Sequence, residues 1–273
     1  MSTSTIIYRQ LIGYLRQHSR YRDLRHLKAL GWMVSALICS GQLSLAVWEP
    51  YVPSRAQKAQ STERRWQRFM SNSRIRVSRL YLPLVMIALS GWQSHRLYLA
   101  LDTTVLWERY CMIHLSVVCC GRAVPLLWRV LEHRSAAVAF KEYEGLLRQA
   151  RWLLRQHPDV MLLADRGFAN HELMGCLRTS GWHYAIRIPC DVLLHGARRY
   201  PISQLAPCIL RSEKPACIVV LDCGPMGLIA AIGVLATVKG AKESWAVITD
   251  EAPSLQTLWQ YALRFRVEEL LME

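Results

Sequence analysis

The first hundred residues are short of acid. Asp23, Glu49 and Glu63 are their only carboxylates, set against 15 Lys and Arg, a net of +12. Residues 101–273 carry the other 19 basic and 17 acidic side chains, a net of +2. A local basic excess of this kind is an electrostatic footprint for a polyanion, with nucleic acid the commonest partner, and arginine's fork suits phosphate. A solvated basic face is the plainer alternative. The nine cysteines include no CxxC pair, so no zinc spacing is present, and free thiols in a reducing cytoplasm fit best. A cleavable leader is not expected, since Arg9, Arg16 and Arg20 are followed by no apolar core and small-residue cleavage site. Internal repeats and low-complexity segments are also lacking. Residues 29–48 carry no charge and are long enough to span a bilayer. Ser35, Ser40, Gln42 and Ser44 interrupt that run and Ser40-Gly41 reads as a helix end, so two buried helices are expected and no membrane partner.

What remains divides near residue 95. Residues 1–95 read as a helical, basic DNA-binding region. Asp23 caps a helix from about Leu24 to Cys39, and Leu43–Trp48 begins a short apolar segment. After Pro53-Ser54, an Arg-rich helix over 57–71 places Arg64, Arg65 and Arg68 on one face, with Trp66 and Phe69 inward. Helical spacing restarts over Val77–Trp92. No helix-turn-helix signature is visible, so the docking mode is left open. From residue 96 the pattern is α/β. Leu97–Leu101 is a strand ending at Asp102, Tyr110–Val118 and Ala123–Val130 pair through a Gly121-Arg122 turn, and Phe140–Gln156 is an amphipathic helix. Val160–Ala164 is a buried strand ending at Asp165. Asn170–Thr179 is helical and Trp182–Ile188 extended. Residues 190–243 read as a β-rich insertion, Trp245–Thr249 as a strand, and Ser254 as the cap of a last helix.

Two aspartates therefore stand at the ends of apolar strands, where an α/β sheet presents ligand-binding groups. Carboxylates from neighbouring strands tolerate each other best around a divalent cation, and hard oxygen donors suit Mg²⁺ or Mn²⁺. The alternative is that each Asp only begins a turn. On the last helix Tyr261, Arg264 and Glu268 are spaced i, i+3, i+7 and lie within about 60° of one another, while Glu269 is turned away by about 100°. An ordinary solvated face with an Arg264–Glu268 pair is the alternative there.

Taken in order, Asp102 in LYLALDTT, Asp165 in LLADRGF, and Tyr-x2-Arg-x3-Glu at Tyr261, Arg264 and Glu268 closely resemble the DDE transposases of a large bacterial insertion-sequence family. VPSRAQKAQST at 52–62 and GRAVPLLWRVLEH at 121–133 belong to the same resemblance, which covers nearly the whole chain. It implies an RNase H-like mixed-sheet catalytic domain over 96–273, with the β-rich insertion at about 190–243, preceded by an all-α N-terminal domain. It also implies Asp102, Asp165 and Glu268 as a catalytic, metal-binding triad for two Mg²⁺ ions (Mn²⁺ as an alternative). Tyr261 and Arg264 would hold transposon-end phosphates, with Arg166, Thr103 and Thr104 as further contacts and Arg64, Arg65 and Arg68 giving DNA affinity. The implied activity is metal-dependent cleavage and transfer of DNA strands at terminal inverted repeats and into target DNA, by a homodimer when DNA-bound, in the cytoplasm at the nucleoid.

Two departures accompany it. The family signature continues to a Lys six residues after Glu268, and this sequence ends at Glu273, which reads as a C-terminal truncation. That leaves a second reading, a catalytically inactive remnant that binds transposon ends. The insertion has no Trp, so stacking on a flipped base by that segment is not expected.

Overall fold

A computed structural model describes residues 2–21, 23–53, 59–189, 193–194, 200–201, 220–222, 229–233, 245–252 and 255–267. The chain separates into two compact units, Met1–Gly91 and Trp92–Glu273.

The first unit is all-α. Helices α1 (Thr3–His18), α2 (Leu24–Ser40), α3 (Ala59–Met70) and α4 (Val77–Ser90) are joined by a 3-10 segment at Leu45–Tyr51. Asp23 caps α2 by accepting the Arg25 N–H, and Gly41 ends it in the left-handed conformation at φ 65°. The uncharged run over 29–48 is thus broken at Gly41. Ser35, the polar residue deepest in the run, is buried and donates its hydroxyl to the Gly31 carbonyl at 2.7 Å, so its polarity costs little there. Met33, Ala36, Trp48, Val52 and Trp66 form one core, and the Trp48 and Trp66 rings meet edge to face at 5.4 Å. Among the described residues, no single helix is long and apolar enough to cross a membrane. With Trp66 turned into this core, Arg64, Arg65 and Arg68 are all exposed on α3.

The second unit is a mixed α/β sheet. Strands β1 (Leu97–Leu106), β2 (Tyr110–Cys119) and β3 (Arg122–Glu132) form an antiparallel meander. Helix α5 (Phe140–Leu153) leads to β4 (Val160–Ala164), which pairs parallel with β1, and α6 (His171–Thr179) leads to β5 (His183–Ile188), parallel with β4. Within the insertion, β6 (Leu193–Leu194) pairs with β7 (Tyr200–Pro201), and β8 (Val220–Asp222) pairs with β9 (Ile229–Gly233). Strand β10 (Trp245–Thr249) adds antiparallel to β5, giving the order β3-β2-β1-β4-β5-β10-β9-β8. The last helix, α7 (Leu255–Ala262), continues through a 3-10 turn at Leu263–Phe265.

All five residues of β4 are buried, as a central parallel strand covered on both faces requires. Each large side chain there contributes about 1.5–3 kcal/mol by burial. Residues of one parity, Met161, Leu163, Ala185 and Val247, pack against Leu258 and Tyr261 of α7. On the opposite side chains, Tyr143 of α5 touches Phe168 edge-on at 5.4 Å and accepts a hydrogen bond from the Asn170 amide at 3.0 Å.

Two details differ from the sequence reading. The β2–β3 turn is Cys120-Gly121, with φ of 49° and 76°, while Arg122 already opens β3. Both central residues of a two-residue turn of this kind are left-handed, and Gly takes the larger φ. The second difference is at Asp102, which lies inside a ten-residue strand, because Thr103, Thr104, Val105 and Leu106 are strand formers that continue pairing with β2. Ser254 lies outside the described residues.

Candidate active site

Register brings the two aspartates together. Along the parallel pair, Leu101 of β1 is opposite Ala164 of β4, so the next positions, Asp102 and Asp165, are neighbours where β4 ends. Asp102 shares its strand face with Ala100 and Tyr98, the face α7 covers, for Ala100 packs against Val267 and Tyr98 against the cluster around Tyr261. Asp165 follows Leu163 and Met161 by two-residue steps and is felt by the Tyr261 phenol.

Each carboxylate is held by its own backbone and by arginine. Asp102 Oδ1 accepts the Thr103 N–H at 2.8 Å, and Oδ2 accepts from Arg264 Nη1 at 3.2 Å. Asp165 accepts the N–H of Arg166, which opens a single 3-10 turn, Arg166–Phe168. The Arg264–Asp102 pair is largely out of water, with side-chain exposures of 5% and 16%. At that depth the pair is held by mutual charge and hydrogen bonding against a substantial desolvation cost. Tyr261 is fully buried one turn earlier on α7. Burial pushes its phenol pKa up, the Arg264 charge pulls it down, the Asp165 charge raises it again, and Arg187 of β5 lowers it. Tyr261 therefore senses Arg264, Arg187 and Asp165, and Arg264 is bonded to Asp102.

Of the residues the sequence singled out, the structure brings Asp102, Asp165, Tyr261 and Arg264 together. Arg166 is exposed beside Asp165, while Arg64, Arg65 and Arg68 are in the other unit. Glu268 and Glu269 lie outside the described residues. Thr103 donates its hydroxyl to the Ala136 carbonyl at 3.0 Å, which fastens the segment after β3 to β1 beside Asp102.

Two residues of this neighbourhood were not anticipated. Arg187 is one. The other is His114, the cross-strand partner of Asp102, 2% exposed, with Nδ1 3.3 Å from Ser116 Oγ and Nε2 without a partner among the described residues. Burial pulls its pKa down, against the opposing pull of the Asp102 charge. A hairpin centred on Glu108 pairs residues whose numbers mirror about it, so locating that turn in the sequence would have placed His114 opposite Asp102. Arg187 carries no local signal, because its position depends on the β4–β5 register.

Two carboxylates on adjacent strands fit the oxygen donors a hard divalent cation takes. Among the described residues no group of three His, Cys, Asp or Glu converges to hold a metal ion.

Comparison of the sequence with protein-family models and with curated protein sequences gives no match. Among solved structures, the chain is similar to a piggyBac transposase synaptic complex with hairpin DNA, at 9% identity and a TM-score of 0.46, over 100% of this chain and 68% of that one. It is also similar to the catalytic domain of human endonuclease V, at 16% identity and 0.38, over 69% and 89%. A third is Ciona intestinalis endonuclease V in complex with a DNA containing an inosine followed by a ribo-adenosine, at 11% and 0.32, over 59% and 74%. These are distant likenesses.

Proposed function

We propose that this chain is a DNA strand-cleaving and strand-transferring enzyme of the DDE kind, the transposase of a bacterial insertion sequence. The observation that carries the reading is the register that sets Asp102 beside Asp165 with Tyr261 and Arg264, the two neighbouring members of the same signature, packed over them. Asp102, Asp165 and Glu268 would hold Mg²⁺ or Mn²⁺, whose chemistry is to lower the pKa of an attacking water or 3′-hydroxyl and to neutralise charge on the phosphodiester.

The chain's own residues do the remainder. Arg264 neutralises Asp102 while the site is without substrate and is the nearest guanidinium for a scissile phosphate. Arg166 adds positive charge next to Asp165, Arg187 adds charge near Tyr261, and Tyr261 holds the α7 face against the sheet. Arg64, Arg65 and Arg68 supply sequence-independent affinity for phosphate. Terminal inverted repeats are the DNA substrate in this reading, bound by a homodimer at the nucleoid.

The test is cleavage of a duplex carrying the element's own ends, with and without Mg²⁺. Asp165→Asn and Asp102→Asn should retain DNA binding and lose nicking on the order of a thousand-fold, as removal of a metal-holding carboxylate does. Full nicking by a folded Asp165→Asn variant overturns the assignment. DNA binding by the unaltered chain without Mg²⁺-dependent nicking makes it a non-catalytic DNA-binding protein instead.

A further inference from the structure

The turn joining β1 to β2 has a conformation its residues disfavour. The Arg109 N–H donates to the Leu106 carbonyl at 3.1 Å, and the two residues between them, Trp107 and Glu108, have φ of 51° and 52°. Turns with both central residues left-handed take Asn-Gly, Asp-Gly or Gly-Gly, since a Cβ in that region is crowded by the backbone. The β2–β3 turn of the same sheet meets this demand with Gly121. The β1–β2 turn has no glycine and sets a tryptophan at its first position. Packing does not compensate: Trp107 is 84% exposed and meets Tyr110 only edge-on, with ring centroids 6.4 Å apart. A strained and solvated large aromatic is accounted for by contact with something outside the chain.

The surroundings indicate what that is. Trp107 opens onto a cleft of about 1230 Å³, lined also by Arg109, His133 and Arg134, with Glu108 and Glu132 as its acids. Arg109 is paired with Glu132 at 2.9 Å, and Arg134 is the other guanidinium of the lining, next to the His133 ring. Among the described residues, Trp107 is the one large apolar side chain that lines it, and the rest are charged or polar. One flat ring among cations suits a nucleotide, with the base on the ring and phosphate on the arginine.

The hairpin is also the far end of the strand that carries Asp102. Trp107 is five residues beyond Asp102 and one past the end of β1, about 17 Å at about 3.4 Å per residue, or about five nucleotides of DNA. Ser135, also of the lining, is followed by Ala136, whose carbonyl accepts the Thr103 hydroxyl on the β1 face opposite Asp102.

We infer that Trp107 is a stacking contact for an unpaired base of DNA held at the Asp102–Asp165 site, with Arg134 and His133 on the flanking phosphates. This rests on the DNA-cleaving reading above.

The test uses the full chain and two DNA probes of equal length. One is fully paired, and the other has a run of unpaired bases in one strand carrying 2-aminopurine. Trp107→Ala should weaken binding of the unpaired probe roughly 5- to 150-fold, the equivalent of one stacked base, and leave the paired probe unchanged. The unaltered chain should quench the 2-aminopurine, Trp107→Phe should keep most of the quench, and Trp107→Ala should abolish it. Trp107→Gly should also abolish it while raising Tm by about 2–4 °C, because glycine relieves the left-handed strain. Equal affinity of Trp107→Ala and the unaltered chain for both probes overturns the inference, as does an equal loss on both, which marks a backbone contact without stacking. If the unaltered chain binds neither probe, the DNA-cleaving reading itself falls and the stacking contact with it.

Discussion

At Asp102 a carboxylate with a side chain 16% exposed meets an arginine with one 5% exposed, and neither has bulk water enough to stand alone. The consequence is asymmetric. Removing Arg264 strands a negative charge next to Asp165, whereas removing both partners leaves only a packing defect. Arg264→Met should therefore lower the stability of the second unit by about 3 kcal/mol, read from the urea midpoint at constant m-value. The double variant Asp102→Asn with Arg264→Met should recover a substantial part of that loss. Strict additivity of the two single changes would show that the pair is not coupled. On the proposed function, the same guanidinium would exchange Asp102 for a phosphate when DNA binds. His114 completes the local picture as a buried neutral ring opposite Asp102, so the carboxylate meets one cation and one neutral neighbour.

At the scale of elements, turns and strand starts determine the register that assembles the site. In the β2–β3 hairpin, Gly121 sits at φ 76° with open space where a Cβ would go, so its role is conformational. Gly121→Ala should cost about 1 kcal/mol in denaturant unfolding, and Gly121→Asn less, because Asn tolerates the left-handed region. An equal cost for both would point to sterics in place of backbone preference. At the other end of β1, Arg96 bonds Asp159 through Nε at 2.8 Å and Glu251 through Nη2 at 2.7 Å, tying the start of β4 and the turn after β10 to β1. The Arg96 guanidinium holds the Glu251 carboxyl below its ordinary pKa of 4.5. A depressed carboxylate stabilises fully above its unfolded pKa and loses that contribution as pH falls through the lower folded value. Urea midpoints should therefore fall on acidification below about pH 4.5, and Arg96→Met should start lower and decline less; parallel pH profiles would exclude the pair as the cause. Much at this scale was legible in the sequence. The five-residue run of β4, the amphipathic α5 and the Asn170 start of α6 each follow from periodicity and capping. The true extent of β1 did not, because the strand-forming Thr103-Thr104 also suits a turn. Asp102, Asp165, Tyr261 and Arg264 stood out by motif, but the Asp102–Arg264 bond spans 162 residues and arises only from packing α7 on the sheet.

Across the whole molecule, basic charge and acidic chemistry are allotted to different stretches. The net of +12 lies in the first hundred residues, and the clustered carboxylates Asp102 and Asp165 lie in the second unit. If the proposed function holds, such a division would let affinity and catalysis be altered separately, and salt dependence is the way to see it. Each arginine that contacts a phosphate releases condensed counterion, and log K falls with log salt by about 0.9 per contact. On α3, Trp66 points into the core while Arg64, Arg65 and Arg68 are exposed, so replacing the three by Ala leaves the packing intact. The triple variant should bind a duplex of arbitrary sequence more weakly, with a salt slope shallower by as much as about 2.7 between about 50 and 200 mM salt. Its melting temperature should be unchanged, because no buried contact is lost. Nicking at saturating DNA should also persist, since the three arginines belong to a different unit from Asp102 and Asp165. An unaltered slope would remove α3 from the DNA surface and leave the basic charge of the first unit as a solvated face. A shallower slope together with lost nicking at saturation would show that α3 positions the substrate as well as attracting it.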